Sequence, residues 1–222
     1  MGKLYIVATP IGNLGDITLR ALEVLKSVDL VLCEDTRVAQ KLLNHFEIKK
    51  PLQSYHQHSD SRKTDYIVGI LGEGKDVALI SDSGTPGISD PGNELVAIIN
   101  NQLSLINIIP IPGPSAMTAI ASVAGIPMDK FVFMGFPPHK KGRQTMFREI
   151  SESKYPVIIY ESVHRIIKTL KELQVFNDFD IVVGRELTKK FETIYRGKIS
   201  EVIPQIEPRG EFVVIICPNH EK

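Results

Sequence analysis

"DVALISDSGTPGISDPG", residues 76–92, joins a short apolar run to a loop of unusual composition. Val77–Ile80 has no polar break, as expected of a strand buried on both faces of a sheet. The next twelve residues, 81–92, carry three glycines, two prolines and two aspartates. A tight turn accounts for Gly and Pro, and an Asp can cap the following helix. Twelve residues exceed that need, because connections in α/β units usually run to about 2–6 residues. In open α/β sheets ligands bind beyond the carboxyl ends of the strands. The loop therefore reads as a ligand-holding device at a strand end.

Working outward, the same rhythm repeats. "KLYIVA" (3–8) precedes "DITLRALEVLKSV" (16–28), where Asp16 is the expected N-cap and Leu19, Leu22 and Leu25 recur at helical spacing. "DLVLCE" (29–34) precedes "TRVAQKLLNHF", "SRKTDYIVGILGEG" precedes "DVALIS", and "NELVAIINN" precedes "LINIIPI". Apolar strands separated by amphipathic helices predict a mostly parallel N-terminal sheet covered on both faces. "IPIPGPS" (109–115) breaks the rhythm. Beyond it come "FVFMGF", "YPVIIYE", "FDIVVGREL", "FETIYRG" and "GEFVVIICP", with a hairpin expected through "TKK" (188–190). That crowding predicts a mixed C-terminal sheet. The expected domains are 1–112 and 113–222, with Gly125–Pro127 as the competing boundary.

The 222 residues suffice for one large or two small cores. Hydrophobic content of 43% and charged content of 23% are those of a soluble globular protein, and zero net charge implies no whole-protein pull toward nucleic acid or membrane. The apolar run at the N-terminus is too short for a secretory signal. Residues 95–128 lack charge, but "NNQ" (100–102) and prolines 110, 112 and 114 interrupt any membrane span. Cys33 and Cys217 lie in strand-like runs and read as buried free thiols of a reducing cytoplasm, without a metal. His56 and His58 in "SYHQH" lack further ligands nearby, so a loop role is expected rather than a metal pair.

Charge is unevenly placed. Residues 1–112 hold 10 Lys+Arg and 13 Asp+Glu, and residues 113–222 hold 16 and 13. Residues 130–148 contain Lys130, Lys140, Lys141, Arg143 and Arg148, with no acid and with Phe131, Phe133, Phe136 and Phe147 interleaved. This is either a solvated helix start or an edge that meets phosphates. Neither G-x-G-x-x-G nor G-x-x-x-x-G-K-[ST] occurs, so a nucleotide polyphosphate is not indicated. Asp82 and Asp90 make the long loop suited to a cationic or polar ligand. "TPIGNLGD" (9–16) and "PGPSA" (112–116) are two further glycine-bearing strand ends that open into helices.

"VATPIGNLGDITLRA", "CEDTR", "SDSGTPGISDPG", "IPGPSA", "ESVHR" and "RELTKKFE" occur in this order from near the N-terminus to Glu192. Together they resemble the ribosomal RNA small-subunit methyltransferase I family of the tetrapyrrole methylase superfamily. The resemblance implies a two-domain α/β enzyme, a cytoplasmic homodimer, with S-adenosyl-L-methionine folded into the cleft between its domains. It implies methylation of a cytidine 2′-hydroxyl in small-subunit (16S) ribosomal RNA, as naked RNA or as the assembled subunit. By the same resemblance, Pro10, Asp82, Thr85, Ser115, Ala116, Ser162, Leu187 and Gly210 or Glu211 contact the cofactor. Val163 stands where the family usually has proline, which loosens the turn beside Ser162.

A ribose hydroxyl needs a proton acceptor before it attacks. Asp35 is the acceptor expected here, although Arg37 could equally make it a structural ion pair. Glu34, Asp90, Glu186, Lys189 and Lys190 are the other candidates, the two lysines also reading as hairpin-tip charges. Lys140, Lys141 and Arg143 are the expected RNA contacts. Methylation of a small tetrapyrrole-like substrate and a non-catalytic RNA-binding assembly module are the alternatives, since a fold does not fix a substrate.

Overall fold

A computed structural model of the chain describes residues 1–56, 61–102 and 106–218. His58 lies outside the described residues. The chain divides into two compact units, Met1–Ser115 and Ala116–Lys222.

The first unit is a five-stranded sheet with every pairing parallel. Its strands are β1 (Lys3–Val7), β2 (Leu30–Cys33), β3 (Leu52–Ser54), β4 (Val77–Ile80) and β5 (Asn107–Ile111), in the order β3-β2-β4-β1-β5. Between them run α1 (Leu19–Ser27), α2 (Thr36–His45), α3 (Ser61–Gly72) and α4 (Asn93–Gln102). Alternation along the strands sorts the core into two layers. Val31, Cys33, Ala78 and Ile80 pack with Ala21 and Leu25 of α1 and with Ala39 and Leu43 of α2. Leu30, Leu32, Val77 and Leu79 pack with Ile67 and Leu71 of α3 and with Leu95 and Ile99 of α4. The apolar residues at adjacent strand positions thus face opposite helix layers, which explains the unbroken hydrophobic runs.

The order contains a switch point. From β1 the chain passes over β4 to reach β2, and from β4 it passes over β1 to reach β5. The helices that follow these two neighbouring strands lie on opposite faces of the sheet, the topology at which open α/β sheets bind ligands beyond the strand ends.

Asp16 is not the cap of α1. It lies in a 3-10 turn, Leu14–Asp16, and Thr18 caps the helix by accepting from the Ala21 N–H at 3.1 Å. Thr18 is extended (φ −80°, ψ 150°), as a capping residue must be. β3, a three-residue edge strand, was not separable in the sequence from the loop around it.

The second unit contains β6 (Val132–Gly135), β7 (Val157–Ser162), β8 (Asp180–Arg185), β9 (Thr193–Lys198) and β10 (Glu211–Cys217) in the order β6-β7-β10-β8-β9. β6 and β7 are parallel and the other pairs antiparallel, a mixed sheet. The hairpin joins β8 to β9, with Arg185 opposite Thr193. One face packs on α6 (Arg143–Ser151), α7 (Ile166–Gln174) and α8 (Ile199–Val202) through Phe147, Leu170, Leu173, Val202 and Val214. On the other face Ile120 of α5 (Ala116–Ser122) sits over Gly184, whose missing Cβ leaves the room. A Cβ there would meet Ile120 Cδ1 at 2.8 Å, Leu187 Cδ2 at 2.9 Å and Val213 Cγ1 at 3.1 Å. Gly184→Val is expected to destabilise the second unit by about 1–3 kcal/mol through overpacking. Chemical denaturation monitored by hydrogen exchange of β8 and β10 amides checks this.

Candidate functional site

Four strand-end segments of the first unit are tied to one another by short hydrogen bonds. Thr9 and Gly84, beyond β1 and β4, exchange both backbone bonds: Thr9 N–H to Gly84 O at 2.9 Å and Gly84 N–H to Thr9 O at 3.1 Å. The buried Thr9 hydroxyl donates to Ser81 O at 3.1 Å, and the Ser81 hydroxyl donates to Gly84 O at 3.1 Å. Thr85 Oγ1 donates to Pro114 O at 3.1 Å, which joins the second loop to the third. Asp35 N–H donates to Asp82 Oδ1 at 3.1 Å and Asp82 N–H donates to Glu34 Oε1 at 3.3 Å, which joins the end of β2. Gly84 (φ 86°) has a backbone conformation that other L-residues rarely adopt. At Gly113 a Cβ would press on the Ala8 Cβ at 3.0 Å. Glycine at these two points lets the loops close on each other.

The junction is acidic. Glu34, Asp35, Asp82 and Asp90 carry it, and Glu34, Asp35 and Asp90 are shifted in different directions. Burial, then the charges of Glu34 and Asp82, push the Asp90 carboxyl up to about 7 against the hydrogen bond from Ser81. Burial likewise raises Glu34, aided by the Asp82 charge and opposed by the Asp82 N–H and by His56. Beneath them burial and the same acids push the Cys33 thiol up to about 11, so it stays protonated. Asp35 goes the other way. Its carboxylate accepts from Arg37 N–H at 2.8 Å, caps α2 and pairs with the Arg37 guanidinium at 2.6 Å, which holds it at about 2. A carboxylate held that low is a weak proton acceptor at neutral pH, and the geometry gives Asp35 the structural role also offered by the sequence, that of ion-pair partner of Arg37, and makes it the cap of α2.

Pro10 is buried beside Thr9, Asp82 is exposed on the loop, Thr85 is half-buried, and Ser115 closes the third loop. The structure therefore brings Pro10, Asp82, Thr85 and Ser115 into one loop cluster. Ala116 opens α5 in the second unit. Ser162 ends β7, its N–H donating to Glu161 Oε1 at 2.8 Å. Leu187 is buried between two residues of positive φ, Glu186 (51°) and Thr188 (66°). Gly210 (φ 83°) lies against the Glu186 side chain, where a Cβ would collide. Lys189 is bound to Glu186 at 3.0 Å and Glu211 at 2.9 Å, a structural bridge across the sheet end rather than a loose hairpin charge.

Arg143 also departs from expectation. It is 5% exposed, donates to Glu172 Oε2 at 2.6 Å and Thr169 Oγ1 at 2.7 Å, and lies over the Phe147 ring. A guanidinium so enclosed is unavailable to RNA phosphates; its task is internal. Its neighbour Glu161, 1% exposed, accepts from Thr169 Oγ1 at 2.6 Å and pairs with Arg165 at 2.7 Å. A buried carboxylate persists only when so compensated. Sequence reading missed Glu161, although an acid ending the apolar run "VIIY" with Arg165 four residues later was a usable signal. Lys140, Lys141 and His139 are exposed.

Among the described residues no group of three His, Cys, Asp or Glu could hold a metal ion, and no helix is long and apolar enough to cross a membrane.

A crystal structure of the methyltransferase CobJ superposes on 97% of this chain and 94% of its own with a TM-score of 0.72, at 18% identity, which shows a shared fold. The family model for Tetrapyrrole (Corrin/Porphyrin) Methylases matches residues 3–203. The family model sets the class. Proteins called ribosomal RNA small subunit methyltransferase I are nearer still. The one from Synechocystis is 45% identical over 98% of this chain and 79% of its own length, and that from Thermotoga maritima is 43% identical over 97% and 98%. That from Escherichia coli O157:H7 is 42% identical over 97% and 77%. The chain belongs to the tetrapyrrole methylase family and, within it, to the ribosomal RNA small subunit methyltransferase I group. It is an S-adenosylmethionine-dependent methyltransferase.

The residues present fit that cofactor. Its sulfonium and amino groups are cationic, and the loop junction offers carboxylates and closely approachable backbone.

The raised Asp90 gives a stability prediction. Its folded value of about 7 lies above the unfolded value of about 3.9, so its contribution is fully present below about pH 4 and is lost as pH rises through about 7. Asp90→Asn should therefore gain stability relative to the parent at pH 8 and gain less or none at pH 5. Urea midpoints of both proteins at the two pH values check it, and an equal difference at both would remove the raised carboxyl.

Proposed function

We propose that this chain transfers the methyl group of S-adenosyl-L-methionine to the 2′-hydroxyl of a cytidine in small-subunit ribosomal RNA. The observation that carries the reading is the acidic, glycine-bearing loop 81–92, fixed to its neighbours at the β1/β4 switch point. When bound, the cofactor supplies a methyl group activated by a positive sulfur. The protein's share is position, charge and proton handling. Asp82, Thr85, Pro10 and Ser115 hold the donor on the first unit. Ala116, Ser162, Leu187 and Gly210 are its contacts on the second, by family resemblance. Asp90 accepts the proton of the attacking hydroxyl, since a base poised near 7 serves best at neutral pH. Lys140 and Lys141 meet RNA phosphates. The working form is a homodimer acting on the small ribosomal subunit.

Labelled methyl transfer to small subunits, free ribosomal RNA and a tetrapyrrole separates the readings. Label in the 2′-O position of a cytidine in either RNA sample is expected. Label in the tetrapyrrole alone points to a small-molecule methylase, and S-adenosylhomocysteine that gives no binding heat points to a module without activity. For Asp90, kcat should rise with pH through an apparent value near 7. Asp90→Asn should lose about 10²–10⁴ in kcat with S-adenosylhomocysteine affinity retained. A variant within a few-fold of the parent would remove Asp90 as acceptor.

A further inference from the structure

The turn that follows β6, residues 136–142, combines an exposed ring with exposed cations on a rigid mount. Phe136 is 52% exposed, and the aromatic residues behind it are half-buried. Tyr160 meets Phe136 edge-on at 5.5 Å between ring centroids, and Phe133 meets Tyr160 at 4.9 Å. A single edge contact of this kind occupies at most one face of the Phe136 ring.

The backbone beyond the ring is held by two arginines, Arg143 buried and Arg165 half-buried. Arg165 Nη1 donates to Pro137 O at 2.8 Å and Arg143 Nη1 donates to Pro138 O at 3.2 Å. Both guanidiniums are in turn fixed by Glu161, and Arg143 also by Glu172. The turn closes with Arg143 N–H on Lys140 O at 3.2 Å and Gly142 at φ 85°. His139, Lys140 and Lys141 project from it, and neither lysine ammonium pairs with a carboxylate among the described residues. Lys140 lies four positions after Phe136, at most about 14 Å of extended chain.

An isolated exposed phenylalanine is ordinary on a protein surface. Here it is braced, next to a turn stiffened by two prolines, and rimmed by cations with no acid from residue 130 to 148. One ring is too small a patch to found a protein–protein interface, which usually buries about 1,200–2,000 Å². It suits a nucleobase, because single-stranded nucleic acid is held by aromatic faces beside positive charge.

We infer that the 136–142 turn is a single-stranded RNA subsite, in which an unpaired base stacks on Phe136 while adjoining phosphates meet Lys140 and Lys141. This rests on the proposed RNA substrate. The arginines act as positioning residues: they hold the two proline carbonyls so that ring and cations keep one spacing.

Binding of a short labelled single-stranded RNA and of unmodified small subunits, followed across a salt series, tests it. Phe136→Ala should weaken binding about 5- to 150-fold with an unchanged salt slope, because stacking releases no counterions. Phe136→Trp should restore or tighten it. Lys140→Ala/Lys141→Ala should lower the slope of log affinity against log salt by about 1.4, two phosphates at about 0.7 each. S-adenosylhomocysteine affinity should stay within twofold in every variant, which also reports intact folding. If the lysine pair weakens binding and Phe136→Ala does not, the stacking subsite is refuted while the RNA reading stands. If Phe136→Ala leaves RNA affinity intact and instead shifts the sedimentation coefficient, the ring covers a second copy of the chain and the inference fails. If the parent protein binds neither RNA nor subunits, it is the RNA reading itself that fails.

Discussion

Two backbone hydrogen bonds, between Thr9 and Gly84, hold the first unit's chemistry in place. They join the segments that leave β1 and β4, whose crossovers run to opposite faces of the sheet. Without that junction the two loops would part where the strands stop. The Thr9 and Ser81 hydroxyls both reach Gly84 O, which also accepts the Thr9 N–H, so this buried acceptor is satisfied several times over. The glycine at 84 is required because the pairing needs a positive φ.

This rigid junction allows acids to be crowded. Four carboxylates near one sheet end repel one another, and the fold distributes that repulsion unevenly. Asp35 is relieved by Arg37 and by the start of α2. Glu34 receives the Asp82 N–H and Asp82 receives the Asp35 N–H. Asp90, half-buried and with no ion pair to a cation among the described residues, takes the remainder as a raised pKa. A positively charged ligand answers such a surplus, and a polyphosphate does not.

The second unit handles buried charge by the opposite device. Glu161 is enclosed on the helix-covered face of its sheet, and two arginines and a threonine compensate it fully. The Nη1 donors of Arg143 and Arg165 reach the Pro138 and Pro137 carbonyls, while the buried Arg165 Nε has no partner among the described residues. One buried ion network thus both fills the layer under α7 and fixes an exposed turn. It explains why Arg143, which reads in sequence like its neighbours Lys140 and Lys141, is chemically unlike them.

The sequence alone determined every strand of the two sheets except β3, and the helices of the first unit, because unbroken apolar runs and helical periodicity are local properties of the chain. It also determined the parallel first sheet, the mixed second sheet, and the three loops that carry glycine at strand ends. The six motifs in order pointed to the family. Tertiary structure alone decided which acid is free to titrate, since Asp35 and Asp90 differ only in what surrounds them. It alone decided that Arg143 is internal and Lys189 bridged, and that Thr9 and Ser81 fasten the loops. Each of these depends on partners up to about seventy positions away in the chain, or on burial. Neither is a quantity that spacing or composition can carry.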